Sequence, residues 1–180
     1  MNCPIARSLE RIGDWWSILI VRDAFYGLAR FDEFQESLGV APNVLTRRLR
    51  GLVEDGLFER RQYERRPPRY EYVLTRTGRD FYPVLLALLH WGNRHFSPGG
   101  PPVEIVAMPD GRRVRPVVVD AETGQPLRGA NFAFAAGPGA DRQMTRRLEA
   151  RGHVPFATGS MNAEHQGIEP RSGRAARTRR

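Results

Sequence analysis

The chain has 180 residues, a single cysteine and a formal net charge of +8, set by 28 arginines against 20 acids with no lysine. That length allows one ordinary core with appendages. Cys3 alone excludes an internal disulfide but leaves a bond between two chains open, and the longest apolar runs, near 18–21 and 84–89, are too short to span a membrane. No signal peptide opens the chain, so a cytoplasmic protein is expected.

The positive charge is local. Residues 1–96 carry 15 Arg against 12 acids, 97–170 carry 8 against 8, and 171–180 carry 5 against none; within the first block, 47–79 hold 10 Arg and 5 acids. Such a patch favours phosphate backbones as partners over acidic proteins or anionic membranes.

Residues 4–12 predict a short helix with Pro4 at its first position and Ile5, Leu9 and Ile12 on one side. After Gly13, Asp14 can cap a second helix carrying Trp15, Trp16, Leu19, Ile20 and Phe25, apolar almost all round and therefore central. A third, from Asp32 to Leu38, opens on a capping-box-like Asp32 and Gln35 pair and closes at Gly39. Three residues later a fourth begins at Pro42. Its Leu45, Leu49, Leu52 and Val53 form an apolar stripe, while Asn43, Arg47, Arg50 and Glu54 fall on the opposite face with Thr46 and Arg48 on the flanks. Gly56 suits a left-handed stop. Two helices joined by so tight a turn have the layout of a helix-turn-helix.

The period then changes to alternation, predicting strands at about 57–63 and 70–75. The intervening tip bears Pro67, Pro68 and the arginines Arg65, Arg66 and Arg69. It reads either as a soluble surface hairpin or, given its place after a helix-turn-helix, as a wing on a phosphate backbone or in a minor groove. Residues 77–96 return to helical period, with Pro83 kinking the helix or beginning its main part. Phe81, Leu85, Leu88, Leu89 and Trp91 give it more apolar surface than a small core covers. A two-fold homodimer through terminal helices is expected, with core packing as the competing account.

Residues 97–102 form a Pro/Gly linker that ends the main domain at 96. Residues 103–136 predict a small β-rich appendage, with strands at 103–107, 114–120 and 131–135 and turns at PDG and ETG. From 137 to 180 a largely disordered basic tail is expected. The four histidines show no metal-ligand spacing, and there is no phosphate loop or nucleophile elbow. Neither an enzyme nor a bound cofactor is therefore expected.

The segments CPIARSLERIGDWWSILIVRDAFYGLARFDEFQ, APNVLTRRLRGLVEDGLFERR and PPRYEYVLTRTGRDFYPVLLALLHWG, in that order across residues 3–92, resemble the HxlR-type winged-helix transcriptional regulators. The resemblance implies a mainly helical fold with a small β-hairpin, and a dimeric, sequence-specific regulator of double-stranded DNA. It places Asn43, Thr46, Arg47 and Arg48 at or beside the DNA; Arg50 joins them by helical position, and the tip arginines as the wing. Two departures stand out: Ala41 replaces the usual hydroxyl before the proline of the fourth helix, and Trp15 replaces a usual basic residue. Some members respond through an amino-terminal cysteine, so Cys3 is a candidate thiol sensor, with a small buried apolar residue as the plainer role. A small-molecule effector is not identifiable. The alternative function is a winged-helix module that binds another protein.

Overall fold

The structure, a computed structural model, describes residues 3–127 and 132–150. It divides into two compact units, Met1–Val117 and Val118–Arg180. The first contains α1 (Pro4–Ile12), α2 (Trp15–Phe25), α3 (Phe31–Leu38), α4 (Pro42–Glu54), β1 (Phe58–Arg65), β2 (Pro68–Leu74), α5 (Arg76–Arg79) and α6 (Tyr82–His95). The second contains α7 (Arg142–Glu149). The fold is a winged helix-turn-helix, mainly helical with one antiparallel hairpin.

Local chemistry sets the helix boundaries. Asp14 caps α2 as expected, its Oδ1 accepting from the amides of Trp16 at 3.1 Å and Ser17 at 3.3 Å. The cap expected of Asp32 and Gln35 is made elsewhere. Helix α3 starts at Phe31, and the Glu33 carboxylate reaches back to the amides of Ala29 and Arg30, both at 2.8 Å. A carboxylate accepts two amides from that position, which Gln35, a residue deeper in the helix, does not reach. Gly39 closes α3 in the left-handed region, at φ 59°.

Ala41 leaves α4 without a side-chain cap. Two other devices compensate: Pro42 needs no hydrogen bond at the first turn, and Val40 and Leu45, both buried, occupy the two positions of a hydrophobic staple. At the other end Gly56, at φ 72°, lets the Leu57 amide return to the Leu52 carbonyl at 2.9 Å.

The core forms where these elements meet. Leu45, Leu49 and Leu52 of α4 bury against Ile20 and Val21 of α2, Phe34 of α3 and Phe58 and Leu74 of the hairpin. Phe34 and Phe58 meet edge to face at 6.5 Å. The hairpin is tied to the helices by the Tyr72 amide, which donates to the Ala29 carbonyl at 2.7 Å, and by a bridge between Arg30 and Glu71.

The hairpin itself is longer than expected. Both strands run to a two-residue turn at Arg66 and Pro67, so that Glu64, Arg65, Pro68 and Arg69 belong to strands and not to a loop. Pro68 is tolerated because it stands at the first position of an edge strand. Pro83 begins α6 instead of kinking a longer helix; residues 76–79 form the separate turn α5. Thr75 joins these pieces, its hydroxyl donating to the Gly56 carbonyl at 2.6 Å and accepting from the Gly78 amide at 3.1 Å.

The strands expected at 103–107 and 114–120 are absent from the described residues. Single bridges join Val106 to Arg113 and Val119 to Pro126, closed by turns at Gly111 and Gly124 with positive φ. Each ribbon lacks a further strand to extend its ladder. Of the third expected strand, residue 131 lies outside the described residues, and 132–135 are not strand. Within the expected tail, α7 is a helix capped by Asp141, whose Oδ1 accepts from the Met144 amide at 2.8 Å. Residues 151–180 lie outside the described residues.

Candidate nucleic-acid interface

Helix α4 presents two faces because its leucines recur with the helical period. With Leu45 and Leu49 fully buried, Asn43, Thr46, Arg47 and Arg50 are necessarily exposed on the other side. Each has a different local commitment. Asn43 Oδ1 accepts from the Val44 amide at 2.9 Å, leaving its side-chain NH2 outward, and the Thr46 hydroxyl donates to the Pro42 carbonyl at 2.8 Å. Arg50 Nε donates to Glu54 at 2.7 Å, one turn along; this hydrogen bond, with the nearby negative charge, raises the Arg50 pKa further above its usual value. The remaining guanidinium donors of Arg50 are not used by that bond. Arg47 has no partner among the described residues.

Arg48 is committed differently. Its Nη2 lies 2.7 Å from Asp14 Oδ2 at the start of α2, its side chain is largely covered, and its Nε is buried without a partner. Arg48, expected beside the DNA surface, is thus held in an ion pair that ties α4 to the start of α2.

The wing sorts its arginines in the same way. Arg61 pairs with Glu71 at 2.7 Å across the strands, and Arg60 lies over the Tyr70 ring at 3.5 Å. A bulge between Gln62 and Glu64 leaves Tyr63 outside the ladder register. The Tyr63 ring receives the Arg30 guanidinium at 4.7 Å. Tyr63 also hydrogen-bonds Arg69, which, together with Glu64 at 3.3 Å, raises the Arg69 pKa. Arg69 is therefore engaged within the wing. Arg65 and Arg66, at the tip, have no side-chain partner among the described residues.

The electrostatic consequence follows from the pairing. Of the five acids at 54–71, Glu54, Asp55, Glu64 and Glu71 each face an arginine already named or, for Asp55, Arg11 at 3.9 Å. Six arginines of residues 47–79, Arg47, Arg60, Arg65, Arg66, Arg76 and Arg79, have no ion-pair carboxylate among the described residues; Arg60 lies on Tyr70 and Arg79 donates to the Leu74 carbonyl, while Arg47, Arg65 and Arg66 sit on α4 and the hairpin tip. An exposed face of unpaired guanidinium groups can bind phosphate oxygens, and on a helix it can also pair with guanine edges.

Over residues 11–100 the chain matches the family described as HxlR-like helix-turn-helix. The chain belongs to that family. Its members are transcriptional regulators, so this HxlR-like protein is a regulator and not an enzyme. It is 37% identical over 136 residues to the HTH-type transcriptional regulator Mb3122 of Mycobacterium bovis, itself uncharacterised, covering 75% of this chain and 86% of that one. Among solved structures it is similar to PA1374 from Pseudomonas aeruginosa, a candidate transcription factor, with 53% identity and a TM-score of 0.60 over 81% of this chain and all of that one. A second candidate transcription factor, PA1607, gives 43% identity and a TM-score of 0.68 over 76% and 96% of the two chains.

The remaining expected residues of the HxlR-like chain fall in several places. Phe81 and Leu85, expected on the dimer surface, are partly buried and pack against the core. Leu88 and Trp91 are about half exposed and stand with Val84 on one side of α6, while Leu89 faces the other side. Cys3 is the half-buried N-cap residue of α1 and makes no side-chain cap. Trp15 is exposed and stacks on Trp16 at 3.9 Å. Among the described residues no cluster of His, Cys, Asp or Glu could hold a metal ion, and no helix is long and apolar enough to cross a membrane.

Sequence reasoning missed Asp14 as an anchor for Arg48, and Arg30 with Tyr63 as the wing's brace. The Asp14 cap was legible, but a contact between residues far apart in sequence carries no local signal. Tyr63 offered one clue, an aromatic out of step with the alternation of β1.

Proposed function

We propose that two copies of this HxlR-like chain form a symmetric dimer that binds specific operators, each copy laying α4 in a major groove and its hairpin tip along the flanking backbone. The observation that carries this is the unpaired, exposed Arg47 on the face of α4 opposite Leu45 and Leu49. Arg47 and the free donors of Arg50 suit guanine O6 and N7. Thr46 suits a thymine methyl or a phosphate, and the outward amide of Asn43 suits a base edge or phosphate. Arg65 and Arg66 carry no sequence information and hold the register. Binding to DNA places the protein in the cytoplasm.

The dimer is supported by apolar surface that the single chain leaves uncovered. Val84, Leu88 and Trp91 recur at i, i+4 and i+7 along α6, and Ile5 and Leu9 stand one turn apart on α1; all are at least 43% exposed. A two-fold axis pairs the two recognition helices about one helical turn of DNA apart, so the operator is an inverted repeat. A thiol response at Cys3 is supported by its place at the start of α1, beside that apolar face; diamide that leaves DNA affinity unchanged in both wild type and Cys3→Ser would remove it.

The experiment is a footprint on DNA upstream of the protein's own gene, followed by titration at several salt concentrations. Protection of an inverted repeat, with affinity falling steeply as salt rises, is expected. Binding to protein partners with no salt-dependent DNA affinity would instead make the chain a protein-interaction module.

A further inference from the structure

We propose that the groove between α2, α6 and the segment 103–106 is a binding site for a small neutral aromatic compound. The groove has a volume of about 390 Å³, within the range of ordinary ligand sites. Its walls are the rings of Phe25, Tyr26 and Tyr82 and the side chains of Leu86, Leu89 and Val106. Phe25 and Tyr82 meet in its wall at 4.8 Å, tilted by 43°, and present aromatic surface to it.

The two charged residues in the lining are both matched within the chain. Arg22 pairs with buried Asp23 at 2.7 Å, and Asp23 is in turn held by the Ser37 hydroxyl at 2.7 Å. Glu104 pairs with Arg113 at 2.9 Å. An ionic ligand would find no unpaired countercharge and would lose its hydration, which selects against it. The Tyr26 and Tyr82 hydroxyls remain available to a single polar substituent.

A second copy of the chain is not the expected occupant. Along α6 the groove-facing Tyr82, Leu86 and Leu89 are about half a turn away from Val84 and Trp91; of the exposed stripe only Leu88 also lines the groove, so a partner helix centred on that stripe meets its edge. The outer wall is also fixed in place. Asn93 Nδ2 donates to the Val103 carbonyl at 2.7 Å, and the ribbon is closed by the Val114 amide on the Ile105 carbonyl at 2.7 Å and the Ala107 amide on the Arg112 carbonyl at 2.8 Å. This wall lies beyond residue 100, where the family match ends. The site stands independently of the DNA-binding reading.

The test uses the full chain and the neutral fluorophore N-phenyl-1-naphthylamine. Saturable enhancement at one equivalent per chain is expected, with binding about tenfold weaker in Leu86→Arg, which puts a charge in the wall, and unchanged in Val84→Glu on the opposite face. If Leu86→Arg loses helical circular dichroism, Val106→Arg on the exposed ribbon replaces it. Enhancement that never saturates, or is indifferent to both wall variants, overturns the proposal. So does equal affinity for the anionic 8-anilinonaphthalene-1-sulfonate, or loss of the probe as self-association increases, which would give the groove to a second copy.

Discussion

The carboxylate of Asp14 serves two helices at once: one oxygen caps α2, and the other holds the guanidinium of Arg48, on the recognition helix, at 2.7 Å. Because Arg48 projects from the flank of α4, this pair ties that helix to the start of α2, beside the buried leucines that fix the direction in which Arg47 points.

Asp14→Asn separates the two tasks. Asparagine caps as well as aspartate, so the helix start survives while the ion pair is lost. A loss of about 1 to 2 kcal/mol in urea unfolding is expected, since both side chains are about a quarter to a third exposed. In a double-mutant cycle with Arg48→Met the two losses should be clearly less than additive. Strict additivity would show that the contact contributes nothing.

Arg47→Ala should reduce discrimination between the operator and a mutated operator by about 1 to 3 kcal/mol. Arg65→Ala and Arg66→Ala should weaken binding to every sequence alike and lower the slope of log affinity against log salt by about one each. Arg69→Ala should do less than either, because Glu64 and Tyr63 already occupy that side chain. Fluorescence anisotropy on paired operators at three salt concentrations separates the classes. Uniform losses for Arg47→Ala would contradict base reading.

Leu88→Glu tests the outer face of α6. The position is 43% exposed in the single chain, so the fold should survive while association fails. Sedimentation should show a single-chain species with unchanged circular dichroism, and affinity for an inverted repeat should fall to that of a half-site. A wild-type chain that sediments as a single copy at micromolar concentration would remove the dimer.

The helices of the first unit were legible because each carries its own punctuation: Pro4, Asp14, Pro42 and Pro83 at starts, Gly39 and Gly56 at stops. The apolar stripe of α4 located the core and its opposite face without reference to any neighbour. What the sequence did not reveal rests on distant contacts. Arg48 looks like Arg47 in the sequence, and only Asp14, more than thirty residues away, distinguishes them. The β-branched runs after residue 103 alternate like strands, but a strand requires a partner ladder, and the short ribbons at 106–113 and 119–126 do not supply one. Helix α7 had a cap and an apolar pair, Met144 and Leu148, four apart; the polar composition around it obscured both.

Glu33 gives the first unit a pH dependence. Two backbone amides, of Ala29 and then Arg30, hold its carboxyl below the ordinary value of 4.5. The folded state thus favours the ionised form, so its stabilising contribution is fully present above the unfolded-state pKa and is lost as pH falls through the lower folded one. Thermal unfolding of Glu33→Ala should therefore lie below wild type at pH 7, with the gap narrowing as the pH is taken below 4.5. A gap of constant size would show that the carboxylate's charge is not what the amides recognise.

Two glycines should respond to alanine in opposite directions. A Cβ at Gly78 would run into the Leu57 carbonyl oxygen and stand 2.9 Å from Leu74 Cδ2. That side is backbone held by the Thr75 amide on the Leu57 carbonyl, so it has little room to yield, and Gly78→Ala should cost about 1 to 3 kcal/mol. Gly51 lies inside α4, at ordinary helical φ, with open space where its Cβ would stand. There alanine removes freedom from the unfolded chain without adding a clash, and Gly51→Ala should stabilise by about 0.5 to 1 kcal/mol. Chemical denaturation of the two variants side by side checks both; a destabilising Gly51→Ala would mean that α4 needs the flexibility of that glycine.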